Sequence, residues 1–213
     1  DFPAPDEESV KALAVSAYSD LFYQLGLNNR ERAYFDQLLN ERMLKRQELA
    51  MKWMGAAADQ RAEIEQEMSQ AKEAFLKKLS DFLKRESAVE AFVEYDNKQP
   101  ARQMIMQQRA IMDQLGVTLD AEKENRVIEV MHAAAQRNGS TQWESVEGLK
   151  KMAAGDALED FDKEWAAETK MLEEEVAEFL SAEETKAFLE SREQIGQSLR
   201  ASLKAGMDEM GAE

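Results

Sequence analysis

From Val10 to Leu203 apolar side chains recur at every third or fourth position, and in that span one proline, Pro100, interrupts the chain. Such spacing lays one stripe along a helix of 3.6 residues per turn, whereas a half-buried strand needs strict alternation. The chain is therefore predicted to be all-α. Val10, Leu13, Ala17, Leu21 and Leu25 form the first stripe, closed by Gly26 as a helix C-cap. A second helix runs from about Asn29 past Phe35, Leu38, Leu39 and Met43 to about Met54, and a third carries Ile64, Met68, Ala71, Phe75, Leu79 and Phe82. Ser87-Ala88-Val89-Glu90 reads as a capping box opening a short fourth helix with Phe92 and Val93.

Pro100 follows the polar run Asp96-Asn97-Lys98-Gln99, which marks a boundary between two modules. Three parts are predicted: a disordered lead-in over 1–8, a first helical module over 9–99 and a second over 100–213. The second module repeats the order of the first. Ala101, Met104, Ile105, Gln108, Ile111, Met112 and Leu115 form a helix closed by Gly116, and another runs from about Ala121 to Gln136. After an Asn138-Gly139-Ser140 loop and a short segment from Trp143 to Met152 comes the helix of Leu158, Phe161, Trp165, Leu172, Val176 and Phe179. Ser181-Ala182-Glu183-Glu184 is a full capping box before a last helix through Phe188, Ile195, Leu199 and Leu203. Gln24-Leu25-Gly26 recurs as Gln114-Leu115-Gly116, and Asp81-Phe82-Leu83 with Ala91-Phe92 recurs as Glu178-Phe179-Leu180 with Ala187-Phe188. Matches in the same order at similar spacing point to duplication.

Charge and composition exclude several functions. The formal net charge is −16, from 27 basic and 43 acidic side chains. Such a surface repels phosphate backbones, so no nucleic-acid partner is expected. No apolar run reaches the roughly 18 residues needed to cross a bilayer, so no membrane insertion is expected. Without cysteine there are no disulfides, zinc-thiolate sites or thiol catalysis. The single histidine, His132, is all that a nucleophile–base pair has to draw on, and the nine glycines stand singly rather than in a phosphate loop. A start at Asp1 is what a removed export signal would leave, and equally what a shortened chain would.

Glu129-Val130-Met131-His132 has the Glu-x-x-His spacing of carboxylate-bridged iron sites in helical bundles. With Val127 at the centre of the buried face, His132 lies about 140° away and Glu129 about 160°, on the solvent side. No metal site is therefore expected, nor any cofactor or catalytic residue. Arg32-Ala33-Tyr34-Phe35-Asp36 resembles the Arg-x-x-Phe-Asp-Tyr signature of lipase-specific foldases, with Gln37 in place of the last tyrosine; nothing further along the chain supports that match, and an amphipathic helix burying Phe35 is the preferred reading.

Helix starts share a further pattern: a leucine, a capping residue, two variable positions and a polar residue able to reach back. Leu27-Asn28-Asn29-Arg30-Glu31, Leu119-Asp120-Ala121-Glu122-Lys123 and Leu180-Ser181-Ala182-Glu183-Glu184 carry it, and Leu83-Lys84-Arg85-Glu86-Ser87 stands where a fourth would fall. These residues resemble the LTxxQ motif of the Spy/CpxP family of bacterial periplasmic proteins. The resemblance implies two Spy-like helical-hairpin modules of three to four helices each, in tandem. It also implies a periplasmic protein that holds unfolded clients without ATP or relays envelope stress, either as a monomer with an internal pseudo-dimer or as a homodimer. The chain departs from the pattern at Lys123, which cannot accept in a capping box, and in its acidic surface.

Twelve methionines supply the candidate contact surface. Met104 and Met106 lie roughly 200° apart on a helix, and Met51, Trp53 and Met54 spread around theirs, so they cannot all face one core. Flexible thioethers suit a face that accepts many shapes. Met51, Trp53, Met54, Met104 and Met106 are therefore the predicted protein-binding residues of a non-enzymatic holding chaperone or stress adaptor. Burial in an interface between modules or copies is the structural alternative for the same side chains. The alternative functions are an accessory subunit with one dedicated partner and, further off, a metal-binding or sensing protein.

Overall fold

A computed structural model describes residues 17–138, 150–151 and 157–210, apart from the side chains of 58, 209 and 210. Every described element is a helix: α1 over 17–24, α2 Asn29–Met54, α3 Ala58–Leu83, α4 Glu86–Asn97, α5 Gln99–Gln114, α6 Ala121–Asn138, α7 Ala157–Val176 and α8 Ala182–Met210. The lead-in, Val10, Leu13, the Gly139-Ser140 part of the expected loop and most of the segment from Trp143 to Met152 lie outside the described residues. The chain divides into two compact units, Asp1–Asp96 and Asn97–Glu213.

The first unit is built on an antiparallel hairpin. Lys78 pairs with Glu41 at 3.1 Å and Lys52 with Glu67 at 2.8 Å, so paired positions rise on α2 as they fall on α3. Phe35, Leu38 and Leu39 of α2 meet Phe75, Leu79 and Leu83 of α3 in one core, closed by Tyr18, Leu21 and Phe22 of α1 and Phe92 and Tyr95 of α4. Its rings pack edge-to-face and tilted, Phe22 on Phe35 at 5.1 Å and Phe35 on Phe92 at 5.8 Å. Arg42 runs into this core, its guanidinium 4.9 Å from the Phe75 ring and doubly bonded to Asp96 at 2.9 and 2.7 Å. Asp96 also accepts from the Tyr18 hydroxyl. Three helices are thereby tied at one polar point whose members satisfy one another, as burial demands.

In the second unit the helices close a ring: α5 packs on α6 and α8, α6 on α7, and α7 on α8. Ala101, Ile105 and Met112, Val127, Met131 and Ala134, Leu172 and Val176, and Ala187 and Phe188 form its core. Where α7 meets α8, Arg192 is fully buried, donating to Glu168 at 2.9 Å and to the Thr169 hydroxyl at 2.8 Å. Its guanidinium lies 4.0 Å over the Trp165 ring, and burial pulls its pKa below the ordinary value. Trp165 stacks on Phe161 at 5.6 Å and rests against the bare backbone of Gly196.

Both units end their first described helix with one device. Gly26 and Gly116 take φ of +65° and +81°, which a side chain resists. Gly26 N–H donates to Tyr23 and Leu27 N–H to Phe22; Gly116 N–H donates to Asp113 and Val117 N–H to Met112. Each pair of bonds is a Schellman motif, and its apolar pair, Leu27 with Phe22 or Val117 with Met112, is buried.

One expectation about a boundary is corrected. Helix α4 begins at Glu86, with Ala88 and Val89 donating to the Arg85 carbonyl, so Ser87 lies inside the first turn and is not its cap. The chain turns earlier because Lys84 adopts a left-handed φ of 52°. The division between the units falls at Asp96 and Asn97, within the polar run that precedes Pro100. Pro100 itself occupies the first turn of α5, where a missing N–H costs nothing, and Lys98 alone separates α4 from α5.

Candidate protein-binding surfaces

The end of the α2–α3 hairpin holds three of the five predicted contact residues. Leu49 and Trp53, four residues apart, are buried on the side facing α3, where Ile64 is also buried. Trp53 is only 2% exposed; its indole N–H donates to Glu65 at 3.2 Å and the Arg61 guanidinium lies 4.4 Å from its ring. Arg61 also donates to the Ala56 carbonyl, fastening the turn. Trp53 is therefore a core anchor and not a contact residue. It shares the helical phase of Leu49, which points inward. Met51 and Met54, three residues apart on one outward face, are each 41% exposed, beside the exposed Gly55 and Ala57. The interior of this hairpin end is complete without them.

Helix α5 of the second unit carries the other two. Met104 is half-buried and packs on the core, because it borders the inward stripe of Ala101, Ile105, Gln108 and Met112. Met106, on the far side, is 64% exposed.

The remaining chemistry predicted from sequence falls as follows. His132 is half-buried with its ring nitrogen 3.0 Å from the Gln136 amide, and Glu129 reaches away from it to Lys98 at 2.8 Å. Among the described residues no three His, Asp or Glu side chains converge on a point that would hold a cation. Phe35 is fully buried and Asp36 half-buried, its carboxyl pushed up by desolvation.

The caps at the helix starts are explicit. Asn28 accepts from the N–H of Arg30 and Glu31 while Glu31 accepts from the N–H of Asn28, and Ser181 and Glu184 form the same reciprocal pair. Asp120 accepts from the Lys123 N–H at 2.9 Å. The Lys123 ammonium then reaches Glu184 at 2.6 Å, joining two helix starts.

Sequence reasoning missed Arg192, Arg42 and Tyr23, the last 81% exposed at the end of α1. For Arg192 a signal existed: it stands four residues after Phe188 and three before Ile195, a charged residue at a buried phase.

No family model, curated protein or solved structure matches the chain. Among the described residues no helix is long and apolar enough to cross a membrane.

Proposed function

We propose that this chain is a non-enzymatic, periplasmic, ATP-independent holding chaperone or envelope-stress adaptor, built of two Spy/CpxP-like hairpin modules in tandem. The observation that carries the reading is the pair Met51 and Met54, left open on one face of a hairpin end whose interior Trp53 already fills. Two adjacent thioethers that the fold does not need are free to adapt to varied apolar segments. Weak contacts of this kind suit capture and release, and a net charge of −16 keeps loaded complexes apart. The repeated Schellman turn and the capped starts at Asn28, Asp120 and Ser181 support the tandem-hairpin part of the reading.

The test is aggregation of several unrelated unfolded clients without nucleotide, followed by light scattering at near-stoichiometric protein. Suppression is expected, and Met51→Gln with Met54→Gln should weaken it at an unchanged melting temperature. No effect of the unaltered protein on any client would overturn the reading, and a single tight stoichiometric partner from an envelope fraction would replace it with a dedicated accessory subunit.

A further inference from the structure

Gln108 stands midway along the inward stripe of α5, between Ile105 and Met112, and is fully buried. Neither the nitrogen nor the oxygen of its amide has a hydrogen-bond partner. Other described side chains leave one buried atom unpaired, and Gln108 alone leaves two. Arg192, for example, keeps Nη1 unpaired while Glu168 and Thr169 hold its other donors. The core of this unit is apolar, with Val127, Met131, Leu172 and Phe188 among its members. The adjoining cleft, bounded by Ile105, Met112 and Val117, has no room for a water molecule. An amide so placed has lost its bonds to water and gained none in return, which favours any state that wets it again.

The other three helices of the unit are bound to one another by side chains. Arg192 joins α8 to α7, and Lys123 of α6 meets Glu184 of α8 at 2.6 Å. Arg137 of α6 pairs with Glu175 of α7, and the Asn138 amide donates to the Glu164 carbonyl at 3.2 Å. On α5, Arg109 reaches Glu124 of α6 at 3.4 Å from a side chain that is 56% exposed, a surface pair of small worth. We infer that α5 is a gate: it leaves the ring and returns as one piece while α6, α7 and α8 stay linked, and in the open form water satisfies the Gln108 amide. Burial of Ala101, Ile105 and Met112 opposes departure, so the closed ring is the major form and the open one a minor, recurrent population. Opening bares these three apolar side chains together with the core residues they cover. The gate lies on a different unit from Met51 and Met54 and does not depend on the client-holding reading.

Hydrogen exchange of the full chain, read by mass spectrometry at about pH 7, tests it. After correction for intrinsic rates, amides from Met104 to Met112 should exchange at least about tenfold faster than those of the interior of α7. Their exchange should also rise more gently with urea below the unfolding transition, because one departing helix exposes less surface than global unfolding. Gln108→Met, an unbranched apolar replacement of similar length, should slow the exchange of α5 by about tenfold and raise the melting temperature. Equal protection of α5 and α7 in the unaltered chain would overturn the inference. So would equal urea slopes for the two helices, or exchange of α5 that Gln108→Met leaves unchanged.

Discussion

Gly196 lies in the interior of α8, where glycine costs a helix about 1 kcal/mol relative to alanine. On propensity alone Gly196→Ala should stabilise. The structure reverses the sign. An added Cβ would fall 2.5 Å from the Trp165 indole nitrogen and 2.8 Å from its Cε2, inside contact distance for both. The ring is not free to yield without loss, because its other neighbours are the Phe161 ring at 5.6 Å and the Arg192 guanidinium at 4.0 Å. Overpacking of this kind costs about 1–3 kcal/mol. Withdrawal of the ring from a buried guanidinium forfeits a further contact of up to about 2 kcal/mol. Set against the helix-propensity gain, the net loss is about 2 kcal/mol at mid-range and about 4 at most, or roughly 8 °C in melting temperature for a unit of this size at mid-range. Gly206 supplies the matched control: it is on the same helix, and nothing lies within 4 Å of the point its added methyl would occupy. Gly206→Ala should be neutral or stabilising by up to about 1 kcal/mol. Thermal unfolding followed by circular dichroism at 222 nm compares the two, and Gly196→Ala combined with Trp165→Leu should recover part of the loss. Equal melting temperatures for the two alanine variants would refute the packing account.

Two further perturbations follow from the geometry. Trp53→Ala should destabilise by about 3–5 kcal/mol, as a buried aromatic does, whereas Met51→Gln or Met54→Gln should stay within about 0.5 kcal/mol; urea titrations separate them, and a silent Trp53→Ala would contradict its burial. The Lys123 hydrogen bond, with the Ser181 N–H adding, holds the Glu184 carboxyl below its ordinary value. Its contribution is therefore present above the unfolded pKa and lost as pH falls through the folded one, so Glu184→Gln should cost about 0.5–1.5 kcal/mol at pH 7 and nothing near pH 2. A pH-independent difference between Glu184→Gln and the unaltered chain would count against that assignment.

What the sequence disclosed was mostly local. The limits of α2 could be read as Asn29 and Met54 because Asn28 caps its start and Gly55 follows its end, within one turn of chain. Gly26 and Gly116 announced helix ends for the same reason: left-handed backbone selects glycine wherever it occurs. Lys84 also turns left-handed, but lysine carries no such signature, and the start of α4 was misplaced with it. The contact residues were harder to read. Spreading Met51, Trp53 and Met54 around a helix shows that some must be exposed, yet only the phase set by Leu49 shows which. That phase is a tertiary fact, fixed by where α3 lies. For Arg192 the buried phase was legible, but its partners were not. Its burial depends on Glu168, Thr169 and Trp165 arriving together from another helix.

At the third position of the capping pattern a local bond in one unit gives way to a non-local one in the other. In the first unit Glu31 answers Asn28 across one turn, and the start of α2 is complete in itself. At the start of α6 the corresponding residue is Lys123, which has no acceptor to offer. Its ammonium bonds instead to the start of α8. Glu184 has two carboxylate oxygens: one accepts from the Ser181 N–H at 2.7 Å, and the other takes the Lys123 ammonium at 2.6 Å. One side chain thus caps its own helix and fixes the start of another, 61 residues away. Two helix starts that would each be worth about 1 kcal/mol alone become a coupled pair, whose energies do not add. Lys123 in place of a carboxylate gives up the reciprocal bond to the Asp120 N–H and supplies a tie between two helices of the second unit.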